Sequence, residues 1–397
     1  MKILHTADWH LGQGFYERDR LQEQRAFIDF LLDFIEREKV DLLIIAGDVF
    51  DTANPARAAE QLYYDFIARL CALRHCELVV VGGNHDSAAH LEAPKRLLKS
   101  LRVHVVGSLP EDLSQAVLRF ECGGRRLCVA AIPFLRDRDV RRAVEGESFD
   151  EMEARTKAGI ARVYKDMAEL VLADKREGEI LLATGHLTAV GGRLSDSERS
   201  VHIGNLGSIG AQQLSPGFDY VALGHLHHPQ VVGGDECIRY SGSPIPLSFS
   251  ESLEKQMRLL TITEENQLEQ QAVKVPLARR LIRMAGSLDE VLAEIAELKI
   301  GKEELCPWIE VMLSEGEVNP SINDQIREAA AKQGAEVCKV SRKGSVARLD
   351  PVDGEVVKSI NEWKPEAVFA QRIENYEGDV DKKTLTQCFQ HVLDEVG

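Results

Sequence analysis

The chain has 397 residues, 44% hydrophobic and 28% charged, the balance of a soluble globular protein with room for two or three domains. Its 48 Lys and Arg against 64 Asp and Glu leave a net charge of −16, which excludes a generic nucleic-acid-binding surface and demands local basic groups, metal or a basic partner for any such role. The eight cysteines form no CxxC pair, no apolar run approaches the ~18 residues of a membrane span, and the chain opens directly on a strand, so reduced thiols and a cytoplasmic protein with no membrane contact are expected.

Lys2-Ile3-Leu4 reads as a strand that leads into Asp8-Trp9-His10. A helix is expected from Glu17 to Glu38, with Phe27, Phe30, Leu31, Phe34 and Ile35 on one face. Leu42 to Ala46 is a strand running into Gly47-Asp48-Val49-Phe50-Asp51. A helix after Pro55 carries Leu62, Phe66, Ile67, Leu70 and Leu73. Val79-Val80-Val81 then ends in Gly82-Gly83-Asn84-His85-Asp86, a buried strand whose carboxyl end opens into a tight turn. A shorter helix after Pro94 carries Leu97, Leu98 and Leu101; Pro suits the first helical turn in both cases.

Arg126 to Phe134 is a further strand, and Asp150 to Ala173 a long helix before the Ile180–Ala183 strand and Gly185-His186. From Asp219 short strands dominate. Val221 to Leu223 precedes Gly224-His225-Leu226-His227, and Cys237 to Tyr240, Arg258 to Thr263 and Leu268 to Val275 follow. Helices early and strands late predict an α/β fold, a layered sandwich with helices outside.

A break is expected at Val275-Pro276. Beyond it the pattern is βαβαβ: strands at Arg280–Met284, Trp308–Leu313 and Glu336–Ser341, helices at Ser287–Leu298 and Ser321–Gln333. Ser287 and Glu290 stand at the capping-box offset. The expected layout is a first domain over 1–276, a small α+β domain over 277–342, a polar linker over 343–364 and an amphipathic helical tail over 365–397. Phe369, Ile373, Leu385, Phe389 and Val392 space the tail too sparsely for a core of its own.

Asp8-x-His10 alone is a weak signal, and Gly47-Asp48-Val49-Phe50-Asp51 alone fits a turn with a capping Asp. Two histidines one residue apart, His225 and His227, point the same way on an extended strand. Asn84-His85-Asp86 after a hydrophobic strand is stronger still, and the series, each at a strand end, points to metal. A carboxylate such as Asp48 can bridge two cations, while imidazoles and an Asn carbonyl fill the shells without piling up negative charge. Such mixed ligands suit Mn²⁺, Fe²⁺ or Zn²⁺ better than Ca²⁺. Two such ions ~3.5–4 Å apart activate water and polarise a phosphoryl group, the means of hydrolysing phosphate esters.

In series, DxH, GDxxD, GNHD, GH and GHxH resemble the calcineurin-like metallophosphoesterase superfamily. Ile3 to Gly14 (ILHTADWHLGQG), Ala46 to Thr52 (AGDVFDT) and Ser241 to Phe249 (SGSPIPLSF) resemble more narrowly the SbcD family of bacterial nuclease subunits, relatives of the Mre-type break-repair nucleases. The likeness extends more loosely over the small domain and Pro365 to Ile373. It implies a four-layer sandwich, two mixed sheets flanked by helices, with the small domain as a cap. It implies two divalent ions, Mn²⁺ foremost, one on Asp8, His10, Asp48 and His227, the other on Asp48, Asn84, His186 and His225. His85 would be the catalytic histidine outside the ligand set, oriented by Asp86.

The resemblance further implies 3′–5′ exonuclease action on double-stranded DNA ends and endonuclease action on hairpin or single-stranded DNA. The partners would be DNA and an SbcC-type coiled-coil ATPase, which the tail would grip. A homodimer within a 2:2 complex would form through the helices bearing Leu62, Phe66 and Leu70, and Leu97, Leu98 and Leu101. A small-molecule phosphodiesterase is the alternative, though it would need neither cap nor tail; a non-catalytic scaffold would not need a complete ligand set. Among other residues, His5 is expected to be buried, and His75, His90, His104, His202 and His391 at the surface. Asp51, His228, Arg193, Arg199 and the Arg136–Arg142 cluster are left between structural and substrate roles.

Overall fold

The computed structural model of the chain describes residues 1–141, 148–190, 192, 209–301, 305–314, 319–342 and 385. At its centre are two six-stranded mixed sheets. Across the first run Leu268–Lys274, Gln256–Ile262, Lys2–Thr6, Leu42–Ala46, Glu77–Val81 and Val103–Val106. The last four strands are parallel, and Lys2–Thr6 meets Gln256–Ile262 antiparallel. Across the second run Val117–Cys122, Arg125–Ala130, Glu179–His186, Tyr220–Gly224, Asp235–Tyr240 and Gln230–Val232, the middle four parallel.

The inner parallel strands are mostly apolar and buried because both their faces are covered. Leu42 and Ile44 enter the core between the sheets with Val79, Leu127, Leu181 and Val221. Their neighbours Leu43 and Ile45 join the core made with the helices Leu21–Glu38 and Arg57–Leu73, among Ile28, Leu31 and Phe66. The helix Phe149–Ala173 closes the second sheet with Ile160, Tyr164 and Met167. The expected four-layer sandwich is present.

Several boundaries differ from expectation. The first helix starts at Leu21, not Glu17, because Phe15 and Arg18 pair across a two-residue turn. Tyr16 (φ 49°) and Glu17 (φ 64°) are both left-handed there, the geometry of the tightest hairpins. The strand expected over Arg126 to Phe134 ends at Ala130, and Val103–Val106, Val117–Cys122 and Gln230–Val232 are strands the sequence pattern did not mark. The stripe Leu62, Phe66 and Leu70 is not a free face: these residues are at most 5% exposed and belong to the core under their own sheet. Leu98 is buried likewise, whereas Leu97 is 65% and Leu101 44% exposed.

A third sheet holds Arg279–Gly286, Leu305–Leu313 and Glu336–Arg342. Its strands are all parallel, an α/β arrangement and not the expected α+β one. The helices Leu288–Ala296 and Pro320–Lys332 connect them, the first started by the Ser287–Glu290 capping box and the second by Asn319. An aromatic joint fastens this sheet to the sandwich: Phe15 stacks on Trp308 at 5.4 Å and meets Phe249 at 5.1 Å. The Arg279 guanidinium lies 4.1 Å from the Trp308 ring and pairs with Glu23 at 2.8 Å, while Arg18 pairs with Glu336 at 2.7 Å.

Among the described residues no helix is long and apolar enough to cross a membrane, and seven cysteines are free thiols. The linker, the tail segments, Arg142, Arg193, Arg199, His202 and His391 lie outside the described residues.

Candidate metal centre

The parallel strands of both sheets deliver their carboxyl ends to one place. Lys2–Thr6 is followed by Asp8 and His10, Leu42–Ala46 by Asp48, and Glu77–Val81 by Asn84, His85 and Asp86. From the second sheet, His186 ends its strand, and His225 and His227 follow Tyr220–Gly224. The loops continue the strand pairing: Asp8 N donates to Gly47 O at 3.1 Å and His10 N to Asp48 O at 3.1 Å.

The turns are tight enough to force unusual backbone. Asp8 (φ 55°), His10 (φ 44°), Asp48 (φ 50°) and His225 (φ 98°) all sit in the left-handed region. Each such non-glycine residue costs about 1–3 kcal/mol and persists only where its surroundings hold it. Gly83 is required for a different reason: a Cβ on it would overlap the Asp48 carboxylate and its backbone nitrogen.

The side chains form two neighbouring groups, Asp8–His10–His227 and Asp48–His186–His225, with the donor atoms in each within 4.8 Å of one another. All six are buried. Asn84 Oδ1 lies 2.9 Å from His186 Nε2 and 3.0 Å from His225 Nδ1, which places it with the second group. Asp48 Oδ2 is 3.1 Å from His186 Nε2 and 3.6 Å from His10 Nε2, so this carboxylate stands between the groups. The structure thus brings together all seven residues expected to hold metal.

The donor atoms fit cations. Asp8 Oδ2 and His10 Nε2 are buried and have no hydrogen-bond partner, an expensive state for polar atoms that only ligation or water would relieve. His186 Nδ1 faces the Ala46 carbonyl at 2.9 Å, so that nitrogen carries the hydrogen. Its Nε2, facing the oxygens of Asp48 and Asn84, must then hold a second proton or meet a cation.

Electrostatics say the same of the metal-free chain. Burial disfavours charged His10, but the hydrogen bond to Asp51 and the charges of Asp48, Asp51 and Asp8 push its pKa up to about 9. Burial likewise opposes charge on His186, and Asp48, then Asp8, carry it to about 9. Burial would raise the Asp48 carboxyl, yet His186 and His10 hold it well below the usual carboxylate range. Burial raises the Asp8 carboxyl against the pull of His186 and His227.

Supporting groups complete the centre. Asp51, whose role the sequence leaves open, accepts a hydrogen bond from His10 Nδ1 at 3.1 Å through Oδ1. Through its main-chain oxygen it accepts one from His85 Nδ1 at 2.7 Å. The expectation that Asp86 orients His85 therefore needs correction. The Asp86 carboxylate turns back to accept from Gly83 N at 2.9 Å, Phe50 N at 3.0 Å and Val49 N at 3.2 Å, tying the two loops together. His85 stands outside the two groups above but shares a third, with His10 and Asp51, whose donor atoms also lie within 4.8 Å of one another, and its ring is 4.8 Å from that of His10.

Glu251 carries no signal in the sequence, although it stands two residues past the SGSPIPLSF stretch. Its Oε1 accepts from His227 Nδ1 at 3.2 Å. Gln24, equally unmarked, donates to His10 O at 2.9 Å. His5 is buried as expected, between Tyr220 Oη at 3.0 Å and Leu223 O at 3.2 Å, and burial lowers its pKa to about 3. His75, His90 and His104 are only half-buried. Arg138 and Arg141 pair with Asp139 at 3.7 Å and Asp137 at 2.7 Å, which favours the salt-bridged reading of that cluster.

A model of the calcineurin-like phosphoesterase family matches residues 1–229. The chain is 35% identical over 397 residues to the SbcD component of the SbcCD nuclease of Escherichia coli K12, an alignment covering 99% of this chain and 97% of that protein. The chain belongs to this family, in its SbcD branch. The SbcD protein of Bacillus subtilis is 31% identical over 315 residues, 78% of each chain. That of Rhodobacter capsulatus is 39% identical over 264 residues, 63% of this chain and 64% of the other. A second family model, described as the type 5 capsule protein repressor C-terminal domain, matches residues 277–377. A solved dimetal phosphatase from Danio rerio covers 70% of this chain and 98% of its own at 14% identity and a TM-score of 0.40, too loose to carry an argument.

The SbcD resemblance read from the motifs is borne out. The chain is a metal-dependent phosphodiester hydrolase, and its family implies divalent cations at the centre described above. Because His10 and His186 hold protons up to about pH 9 without metal, cations must displace protons at neutral pH. The apparent heat of Mn²⁺ binding at pH 7 should therefore differ between PIPES and Tris, and affinity should rise as the pH approaches 9. Equal heats in both buffers would mean that these rings are already deprotonated.

Proposed function

We propose that the chain is the nuclease subunit of an SbcCD-type complex, hydrolysing DNA phosphodiesters with two Mn²⁺ ions beside an SbcC-type coiled-coil ATPase. What supports this most is the convergence of seven donor residues on two groups that meet at Asp48, in a chain alike to SbcD nearly from end to end. Asp8, His10, His227 and Asp48 would hold one ion; Asp48, Asn84, His186 and His225 the other. Bound there, the ions supply Lewis acidity and a water acidic enough to attack at neutral pH. On this reading the activities are 3′–5′ exonuclease on duplex ends and endonuclease on hairpins and single strands.

The chain's own groups do the rest. With His85 Nδ1–H committed to the Asp51 carbonyl, Nε2 is the nitrogen free to exchange a proton with substrate. In its protonated form that nitrogen donates to the leaving sugar oxygen, the work of a general acid. Asp86 keeps the His85 loop registered against the Asp48 loop, and the backbone N–H of His85 donates to Asp48 Oδ1 at 2.9 Å. The layout we propose is a nuclease domain over 1–276, a cap over 277–342, a linker over 343–364 and an ATPase-docking tail over 365–397.

Self-association as a homodimer within a 2:2 complex would use apolar groups left exposed on and beside the helices that carry Leu62 and Leu98, Tyr64 at 37%, Leu97 at 65% and Leu101 at 44%. Leu97→Glu combined with Leu101→Glu should give a folded monomer by light scattering, and an unchanged dimer would move the interface elsewhere. Deleting the chain after Lys364 should abolish copurification with the ATPase while hydrolysis of bis(p-nitrophenyl) phosphate survives; full copurification would remove the tail from this role. His85→Gln should keep two Mn²⁺ and cut cleavage of linear duplex DNA by about 10²–10⁴-fold. Wild-type protein that hydrolyses bis(p-nitrophenyl) phosphate yet leaves DNA intact with its ATPase present would favour a small-molecule phosphodiesterase.

A further inference from the structure

We infer that Glu251 is the positioning residue for His227, and that a buried Glu251–Lys255–Ser243 cluster holds one cation position in place. The inference rests on the metal reading above and extends it to residues outside the ligand set. Each imidazole needs one nitrogen fixed so that the other presents a lone pair. For His186 a backbone carbonyl does this, and for His10 the Asp51 carboxylate. For His227 the partner is Glu251, 24 residues further along the chain.

Nearly every polar atom of Glu251 is used. While Oε1 accepts from His227 Nδ1, Oε2 accepts from Lys255 Nζ at 2.6 Å and from Leu247 N at 3.0 Å. Lys255 Nζ also donates to Ser243 Oγ at 2.8 Å and to the main-chain oxygen of His227 at 3.3 Å. Ser243 N donates to that same oxygen at 3.2 Å. The cluster therefore grips His227 by ring and by backbone. It is buried: Glu251 is 9%, Lys255 1% and Ser243 0% exposed.

A buried ion pair is seldom more stabilising than apolar side chains of the same size. Its presence behind a ligand histidine points to orientation, since a carboxylate on the far nitrogen fixes the ring and raises its basicity toward metal. The loop that carries it is braced in turn: Phe249 meets Phe15 at 5.1 Å, and Phe15 stacks on Trp308 of the third sheet. The seat of Glu251 therefore depends on the cap as well as on the sandwich.

The test is calorimetric titration of the full chain with Mn²⁺ alone, with metal content measured in parallel. Wild type should bind two ions. Replacing the pair by apolar side chains of similar size, Glu251→Leu with Lys255→Met, leaves no buried charge stranded and should fold, as circular dichroism of the metal-free protein would check. Mn²⁺ should then bind about 10–100-fold more weakly at one position and unchanged at the other. Glu251→Gln, which keeps an acceptor oxygen, should fall between. Two ions bound at wild-type affinity in the double variant would overturn the inference, as would equal weakening of both positions, which marks a purely structural role. Wild-type protein that binds no Mn²⁺ would overturn the metal reading itself.

Discussion

Two carboxylates, Asp8 and Asp48, are buried to within 1% of full enclosure where the strand ends of both sheets meet. Charge of that kind, taken out of water, costs several kcal/mol per ion unless opposite charge comes with it. The rest of the centre answers that constraint. His10, His186, His225 and His227 surround the carboxylates, and in the metal-free chain His10 and His186 supply the positive charge by holding protons to about pH 9. Divalent cations would supply it more fully and would also satisfy Asp8 Oδ2 and His10 Nε2, which no hydrogen bond within the chain reaches.

The scaffold is built to hold this arrangement against its own cost. Four of the clustered residues, Asp8, His10, Asp48 and His225, sit at positive φ, so backbone strain is stored within the cluster itself. Buried parallel strands on either side, covered on both faces, make relaxation expensive. Asp86 fastens the loop after Ala46 to the loop after Val81 with three backbone hydrogen bonds. Asp51 fastens His10 and His85 to each other. Loosening any of these would let the turns relax and the donor atoms drift apart.

Much of this is legible in the sequence because local chemistry and topology coincide. A run such as Val79-Val80-Val81 needs burial on both faces, and the Gly-Gly-Asn-His-Asp after it fits only a turn at a strand end. The same grammar around Asp8, Asp48, His186 and His225 marks the residues that the fold brings together at one place. Other features lack any local signature. Tyr16 and Glu17 form a left-handed turn without Gly or Asn, so the pattern reads as helix. An apolar stripe says that a face is covered but not by what, so Leu62, Phe66 and Leu70 read as a free surface although their own sheet covers them. Asp86 adjoins His85 in sequence yet points away from it, and Glu251 reaches His227 only through the fold.

Two cations are expected to share Asp48 at this centre. Anomalous scattering from crystals grown with Mn²⁺ measures it directly. Two peaks are predicted, one bounded by Asp8, His10 and His227 and the other by Asn84, His186 and His225, with Asp48 touching both. A single peak, or a pair in which Asp48 contacts only one ion, would contradict it.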